Sequence, residues 1–423
     1  MKTYFFSFVI LLLLVSNCHA AEPQKWNSNL TVEQNIVANV ISLKDSADLS
    51  FLDEISKEKS IILLGESGHY ELKTSEAKIN MINYLKKKNG FNAVALETVS
   101  FLSAYVFSNP EYNKQTKDWK FEYFWAQVWT DQKTCQPLIE QIQQRKIKVL
   151  GIDGQLGMFD VSSAQILLEK YKKDFPLDIK WSKFYNYYLA RLVFYMSPQY
   201  YKPLTKAEEF QLMSMINKVS NYVRYIIYKK GDAMDLKAIM QWIINVKNAF
   251  PYTKYDALAH GLNNKIDTTL LVDNEKNRDE MMAKNIMWHI NNIPKEKFTV
   301  WCANYHESKE ISQIIYTSDS LCYFRTQTMG EFLNNSSVGN KVYSLAITSK
   351  NVYQGEEDGT LESEIRQTTR NAPFAFIDFI SLRFKDGYWD KTFNTNFMKR
   401  KDGKWLFSFD GVYYLRDQKL NYK

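Results

Sequence analysis

The sequence lacks the features that mark several common classes of protein. It has only 15 glycines and 9 prolines among 423 residues, and 45% of its residues are hydrophobic, so we expect a globular chain rather than a disordered one. It contains no C-x-x-C pair, which disfavours a zinc site made of cysteines. The motifs H-E-x-x-H and G-x-S-x-G are also missing, so two familiar signatures of hydrolytic enzymes do not apply.

Charge and hydropathy argue against two further classes. The net charge of +7 is spread along the chain and forms no basic stripe with interleaved aromatic residues, the pattern of nucleic-acid-binding proteins. No apolar run approaches the roughly 20 residues that a membrane-spanning helix needs. We therefore expect neither a nucleic-acid partner nor a membrane span.

The first twenty residues have the pattern of a secretory signal peptide. Lys2 supplies the positive charge, Phe5–Val15 form the apolar segment, and a small-x-Ala cleavage site ends at Ala20. We expect cleavage after Ala20 and export to the periplasm or the medium. Lipoprotein processing at Cys18 is the alternative, which Asn17 disfavours.

Three cysteines remain after that cleavage. Cys302 lies in an apolar run and is expected to be a buried, inert thiol. An odd number cannot all pair within the chain, and the sequence does not decide between a Cys302–Cys322 disulfide, a Cys135–Cys322 disulfide and free thiols.

Alternating strand and helix signals begin at residue 61. Ile61–Leu64 is a short apolar run typical of a buried parallel strand. A helix is predicted from Thr74 to Asn89-Gly90, where glycine suits the C-cap. A second strand, Ala93–Leu96, follows, so this segment has the pattern of a βαβ unit.

The rest of the chain extends this pattern and interrupts it once. Helical periodicity covers Val161 to His289, where an aromatic cluster from Trp181 to Tyr201 is predicted mainly to pack. Further strands are predicted at Ile147–Leu150, Phe298–Ala303, Val342–Ile347, Phe374–Ile380 and Trp405–Phe407. We predict an α/β fold with a mainly parallel or mixed central sheet flanked by helices. Its core comprises residues 21–160 and 291–423, and residues 161–290 form an inserted all-helical region.

Four candidate catalytic residues follow predicted strands: Glu66, His69, Glu97 and His306. Chemistry in open α/β sheets gathers outside the carboxyl ends of the strands. His69 could take a proton from water, while Glu66 or Glu97 orients the imidazole, and His306 could stabilise an oxyanion or protonate the leaving group. Asp153 is a third carboxylate at a strand end, for which a turn or helix-capping role is the alternative.

Other chemistries remain open at this stage. Two histidines and two glutamates also suit zinc, so a metal-dependent hydrolase or peptidase using Glu66, His69, Glu97 and His306 as ligands is one alternative. Serine catalysis is disfavoured, because Gly65–His69 has histidine where a nucleophile elbow has its final glycine.

Five motifs in order resemble the erythromycin esterase-like family. The family's strand followed by G-E-x-x-H is matched by Gly65–His69, and its strand G-F-x-x-V-A-L-E by Gly90–Glu97. Its G-x-D turn is matched by Gly151–Asp153, and its helical R-D-x-x-M-A-x-N by Arg278–Asn285. Its strand exit W-A-H-N-x-H is similar to Trp301–His306.

The resemblance implies a two-part fold, with an active cleft between the α/β core and the helical region. It implies cofactor-free ester hydrolysis in which His69 is the base for water and Glu66, Glu97 and His306 surround it. The substrate would be a small-molecule ester or lactone, the latter in the macrolide-cleaving members. Four residues are expected to contact the substrate: Lys78, Asp153, Arg278 and Asn304.

The sequence also departs from the family pattern. The first histidine of H-N-x-H is Ala303 here, and the usual arginine nine residues after the catalytic histidine is Lys78, which cannot form a bidentate fork. Tyr70 replaces a glycine and Lys73 an acid, for which Glu71 is a displaced substitute. These departures favour a related hydrolase of another substrate over a macrolide esterase, with a degenerate ligand-binding homologue as a further alternative.

Overall fold

The computed structural model describes residues 24–45, 48–157, 159–175, 205–231, 233–261, 268–313, 326–349, 359–395 and 401–418. The signal peptide, the aromatic cluster between Trp181 and Tyr201, and Cys322 lie outside these ranges. Cys135 and Cys302 are buried free thiols.

A mixed sheet forms the centre of the fold. The strands are β1 (Ile41–Leu43), β2 (Ile61–Leu64), β3 (Phe91–Ser100), β4 (Lys148–Asp153), β5 (Lys297–Trp301), β6 (Val342–Ser349), β7 (Phe374–Asp378), β8 (Phe393–Thr395), β9 (Lys401–Gly403) and β10 (Gly411–Leu415). Eight of them are ordered β1-β7-β10-β6-β2-β5-β3-β4, and β8 pairs separately with β9. The run from β10 to β4 is parallel, whereas β7 is antiparallel to both its neighbours. The predicted α/β class with a mixed sheet is therefore confirmed.

Helices cover both faces of this sheet and form the segment between β4 and β5. They are α1 (Val32–Val37), α2 (Phe51–Glu58), α3 (Leu72–Asn89), α4 (Phe101–Ser108), α5 (Gln127–Thr130), α6 (Gln136–Gln143), α7 (Asp160–Lys170), α8 (Lys206–Lys230), α9 (Met234–Gly261), α10 (Thr268–Asn292), α11 (Asn304–Glu307), α12 (Met329–Asn334), α13 (Leu361–Thr368), α14 (Phe379–Arg383) and α15 (Trp405–Ser408). Among the described helices, none has the length and apolar character needed to cross a membrane.

The four residues of β2 show why this strand is apolar throughout. Ile62 and Leu64 pack in the core on the α3 side of the sheet, while Ile61 and Leu63 pack on the opposite side, in the cluster that contains Met282 of α10. A parallel strand covered on both faces has no polar side, so all four side chains are buried. The strand therefore forms a rigid base for the turn that follows it.

Helix α3 ends as its sequence predicts. Gly90 adopts a left-handed φ of 75°, and its N–H bonds to the carbonyl of Leu85. Glycine adopts this conformation without strain, and the three lysines Lys86, Lys87 and Lys88 lie in the last turn, where cations favour the helix dipole. The capped helix returns the chain to the sheet at β3.

The strand predicted at Trp405–Phe407 is wrong, because these residues form the short helix α15. A short apolar run cannot be assigned to strand or helix from periodicity alone. In the structure, Arg383 donates to the carbonyls of Leu406 and Phe409, at 2.7 and 2.9 Å, and these long-range bonds satisfy the helix end. The strand of this region is β10, which begins at Gly411.

The helical segment shares cores with the α/β part. Residues of α8 and α9 pack in one cluster with Phe101 and Leu102 of α4, while Met282 and Ile286 of α10 pack on the sheet itself. This contact brings the polar face of α10 to the carboxyl edge of the sheet, where the candidate site lies.

Candidate active site

Four neighbouring parallel strands deliver the predicted site residues to one edge of the sheet. The strands are consecutive in space, in the order β2-β5-β3-β4. Glu66 and His69 follow β2, and His306 follows β5. Glu97 lies in β3 immediately after its last residue paired with β5, and Asp153 ends β4. The sequence placed these residues at strand ends, and the topology brings those ends side by side.

The first group consists of Glu66, His69 and Lys78. Glu66 Oε1 lies 2.7 Å from His69 Nδ1, and Lys78 Nζ donates to Glu66 Oε2 at 2.8 Å. Lys78 also donates to the carbonyl of Cys302 at 3.0 Å and sits 4.6 Å from the ring centroid of Trp301. The carboxylate is thus held from both sides, by a buried ammonium and by an imidazole.

His69 is the member of this group that reaches solvent. Its side chain is 42% exposed, whereas that of Glu66 is 1% exposed. The ring of Trp129 meets it edge-on at 5.0 Å, and Gln132 Nε2 donates to its backbone carbonyl at 2.8 Å. Burial lowers the pKa of His69, but the hydrogen bond and charge of Glu66 outweigh this effect and raise the pKa above 6.5.

The second group is built around Glu97. Its Oε1 lies 3.2 Å from Arg278 Nη2 and 3.2 Å from His306 Nε2, and its Oε2 accepts from the Ala303 N–H at 3.0 Å. Burial disfavours the charged carboxylate, but the positive charges of His306 and Arg278 hold the pKa of Glu97 well below its usual range. Glu97 is therefore ionised and cannot act as an acid at neutral pH.

Asp279 completes this group and was not among the predicted site residues. Its Oδ1 lies 2.8 Å from His306 Nδ1 and accepts from the Met329 N–H at 2.8 Å. Burial opposes charge on His306, yet the carboxylates of Asp279 and Glu97 hold its pKa well above the usual range. The one sequence signal for Asp279 was its place beside Arg278 in a recognised motif.

Because His306 is protonated, its short contact with Arg278 is not a hydrogen bond. Arg278 Nη1 lies 3.3 Å from His306 Nε2, but a protonated imidazole has only donors and cannot accept this bond. The contact is therefore a close approach of two cations, which Glu97 holds together from its position beside both. Glu97, Asp153 and Asp279 offset these two positive charges, and Arg278 is the more exposed of the two cations.

Asp153 anchors the arginine from the far side. Arg278 donates to Asp153 Oδ2 through Nη2 at 2.7 Å and through Nε at 3.2 Å. The Thr98 N–H also approaches Asp153 Oδ2, at 3.2 Å, and Thr98 has a left-handed φ of 67°. A β-branched residue rarely adopts this conformation. Thr98 follows Glu97 directly, where the pairing of β3 with β4 shifts register between Leu96 and Ser100, so backbone strain is stored beside a site residue.

Three of the four predicted substrate-binding residues are buried rather than exposed at the surface of the site. Lys78 is fully buried and Asn304 is 1% exposed. The Asn304 amide donates to the carbonyl of Ile347 at 3.0 Å and accepts from its N–H at 3.2 Å. A Cβ at Gly65 would lie 1.9 Å from Asn304 Oδ1, so the turn after β2 requires glycine for this close approach. Asp153 is fully buried as well, which leaves Arg278 as the predicted binding residue with some exposed surface.

Glu71 is a further buried carboxyl group next to the site. It accepts from Thr74 Oγ1 at 2.8 Å and is only 4% exposed. Burial raises its pKa to about 7, more than the Thr74 hydrogen bond lowers it. Among the described residues no cation forms an ion pair with Glu71, unlike Glu66, and Lys73 pairs with Glu76 instead.

The carboxylates proposed as zinc ligands are engaged with cations. Glu66 contacts Lys78, and Glu97 contacts Arg278 and His306. Within the described ranges, no group of three or more His, Cys, Asp or Glu side chains is arranged to hold a metal ion. The donor set therefore suits ion pairing better than metal ligation.

Comparison with known proteins places the chain by its fold. No protein-family model matches it. It is 25% identical over 407 residues to a Bacillus subtilis (strain 168) protein named "Putative hydrolase YbfO", with 87% of this chain and 84% of that protein covered.

Solved structures agree along nearly the whole chain. A Bacillus cereus protein has a TM-score of 0.67 and 18% identity, covering 94% of this chain and 99% of that one. A succinoglycan biosynthesis protein has a TM-score of 0.65 and 16% identity, covering 92% and 96%. A mutant of erythromycin esterase EreC in its open conformation has a TM-score of 0.64 and 12% identity, covering 90% and 98%. The chain has the fold of erythromycin esterase, as its motifs predicted.

Proposed function

We propose that the protein is a hydrolase in which His69 activates a water molecule for attack on an ester or lactone. One observation carries this proposal: Glu66 Oε1 lies 2.7 Å from His69 Nδ1, on a half-exposed imidazole at the edge of the sheet. The described residues form no hydrogen bond to its Nε2. The fold shared with erythromycin esterase and the similarity to a protein named as a hydrolase support the same reaction class.

The Glu66 contact sets the tautomer that a general base needs. Nδ1–H donates to Glu66, so the lone pair lies on Nε2, where water can approach. As the water oxygen bonds to the carbonyl carbon, its proton passes to Nε2 of His69. The bond to the alkoxide then breaks, and the same proton leaves with the alcohol. Glu66 stabilises the charged imidazole between these two steps.

Arg278 and His306 supply positive charge for the oxyanion of the tetrahedral intermediate. Both are held by carboxylates that lie away from solvent, Glu97, Asp153 and Asp279, so their orientation is fixed before substrate binds. Preorganised charge of this kind typically contributes a large share of a hydrolase's rate. Lys78 acts through Glu66, and Asn304 through the turn after β2, as positioning residues.

Replacing His69 tests the proposal. With a panel of aryl esters and lactones, His69→Ala is expected to lower kcat/KM by about 10²–10⁴-fold. His69→Gln, which keeps a polar side chain without a base, is expected to show the same loss. Glu76→Gln, on the exposed side of α3, serves as the matched control and keeps wild-type turnover. Full activity of His69→Ala on a substrate that the wild type cleaves would refute the role of His69.

Ala303 and Lys78, which depart from the family pattern, motivate a second candidate function, a ligand-binding homologue without turnover. Tight binding of esters with no hydrolysis by the wild type would favour it over the hydrolase. Elemental analysis addresses the zinc alternative: stoichiometric zinc, with activity lost to chelator and restored by metal, would overturn the metal-free mechanism. Export through residues 1–20 stays a prediction.

A further inference from the structure

A cleft of about 390 Å³ lies at the opposite edge of the sheet from the candidate active site. Its floor includes Ile147, which precedes β4, and Leu150 within β4, whereas Asp153 at the end of β4 belongs to the candidate active site. Along the chain, Ile147 lies six positions and Leu150 three positions before Asp153, which corresponds to roughly 20 and 10 Å. The cleft is therefore a separate place on the molecule, and its volume lies within the usual range for small-molecule sites, about 300–1,000 Å³.

The edge of β4 is already covered where it borders this cleft. The Ser108 hydroxyl donates to the Val149 carbonyl at 2.7 Å and accepts from the Val149 N–H at 3.1 Å. His289 Nε2 lies 3.4 Å from the Gly151 carbonyl. Side chains thus satisfy the outward backbone groups, so the cleft does not present an open strand edge for a peptide. What it presents is a wall of apolar side chains, including those of Ile142, Ile147, Leu150 and Ile293.

Arg145 lines the cleft from an unusual backbone position. Helix α6 ends at Gln143, and the Lys146 N–H returns to the Gln141 carbonyl at 2.8 Å, the Schellman pattern. The residue within that turn has a left-handed backbone and is usually glycine. Here it is Arg145, with a φ of 59°. Strain at a non-glycine residue of this kind is concentrated at functional positions in proteins.

The Arg145 guanidinium is only partly satisfied by the protein. It stacks on Phe107 at 3.4 Å, and Nη2 donates to Thr116 Oγ1 at 3.1 Å. Its Nη1 is buried and has no hydrogen-bond partner among the described residues. A buried donor without a partner carries a desolvation cost that an added acceptor would remove.

Among the described residues, no acidic side chain forms an ion pair with Arg145. None of the described lining residues is acidic. Lys148 also lines the cleft, but it is paired with Glu296 at 2.9 Å. The nearby Asp235 is bound by Lys170 and two tyrosine hydroxyls. The cleft therefore combines apolar walls with the cationic side chain of Arg145, whose Nη1 has no hydrogen-bond partner in the part of the chain that the structure describes.

We propose that this cleft binds a small amphipathic carboxylate. The hydrocarbon chain lies against the apolar walls, and the carboxylate pairs with the Arg145 guanidinium, which lines the cleft. His289, which burial keeps neutral by lowering its pKa to about 3, adds no charge to the site. This site is distinct from the one that the proposed ester hydrolysis uses.

Calorimetric titration of the full chain with octanoate, octanol and octyltrimethylammonium tests this site. Octanoate is expected to bind saturably, and octanol at least roughly tenfold more weakly, because hydrogen bonds to charged groups are worth about 1.5–3 kcal/mol. The cation is expected not to bind. Equal affinity for octanoate and octanol, or no saturable binding of octanoate, would overturn the proposal.

Two variants place the binding at Arg145. Arg145→Gly and Arg145→Asn both suit a left-handed backbone, so at least one is expected to fold, and both should weaken octanoate binding roughly tenfold or more. Arg224→Ala, at an exposed position of α8, is the matched arginine control. His69→Ala should retain octanoate binding. Loss of octanoate binding in this variant would mean that octanoate binds at the active site, which would contradict the proposal. Unchanged octanoate affinity in a folded Arg145 variant contradicts it as well.

Discussion

Replacing Lys78 by methionine should both destabilise the protein and shift the pH dependence of its activity. Lys78 is fully buried, and its Nζ lies 2.8 Å from Glu66 Oε2. Methionine keeps the apolar stem but removes the charge, so Glu66 would be left in the interior without its cation. The cation–π contact with Trp301 would be lost at the same time.

The expected loss of stability follows from this burial. Removing one partner of a buried ion pair typically costs about 3–5 kcal/mol, whereas an exposed pair is worth about 0–1 kcal/mol. Because both side chains of the Lys78–Glu66 pair are 1% exposed or less, we expect the larger range. The double variant Lys78→Met/Glu66→Gln should recover much of the loss, since the remaining amide carries no charge. Urea unfolding of the four proteins of this cycle measures the coupling.

The pH dependence provides a second, independent readout. Glu66 raises the pKa of His69 and Lys78 lowers it. Only neutral His69 can accept a proton from water, so kcat/KM should rise with pH through the pKa of His69 and then level off. Lys78→Met should move this rise to higher pH, and Glu66→Gln should move it to lower pH.

Two results would refute this reasoning. A Lys78→Met variant that unfolds within about 1 kcal/mol of the wild type would behave like the loss of a surface pair. A shift of the kcat/KM profile to lower pH would have the wrong sign for the loss of a cation near His69. Lys73→Met, which breaks an exposed pair with Glu76 on the same helix, is the matched control and should do neither.

Two further predictions concern neighbouring carboxyl groups. Asp279→Asn removes a charge that raises the pKa of His306, so His306 should lose its proton at lower pH. We expect kcat to fall by roughly tenfold or more at pH 8 and by less at pH 6. An equal loss of kcat at both pH values would contradict this prediction. Glu71 has its pKa raised from 4.5 to about 7, so its favourable protonated form is lost as pH rises through 7. Glu71→Gln should therefore raise the free energy of unfolding by up to about 3 kcal/mol at pH 8 and little at pH 4.5, as measured by chemical denaturation.

Strand ends were the part of the site that the sequence could predict. Apolar runs such as Ile61–Leu64 identify buried parallel strands, and the polar residues that follow them must emerge at one edge. The order of those strands was not predictable, because β5 inserts between β2 and β3 through pairing across more than 200 residues. That insertion is what brings His306 beside Glu97.

Buried charges were the part that the sequence could not assign. Asp279 lies in the run Arg278-Asp279-Glu280, which has the composition of an exposed helix surface. Lys78 follows Ala77 on a helix whose apolar face is only moderately marked. Each is buried because an oppositely charged partner from another element meets it, and such a partner is visible only in the folded structure.

Ala303 contributes to the site through its backbone N–H and not through its side chain. The Ala303 N–H donates to Glu97, and Glu97 contacts Arg278 and His306. The positions of these two cations therefore do not depend on a histidine side chain at position 303. Glu66 and the proposed base His69 follow another strand, β2. A methyl group in place of an imidazole therefore leaves the contacts of both groups in place. We infer that Ala303 bears on which substrate the proposed hydrolase would accept rather than on the proposed reaction.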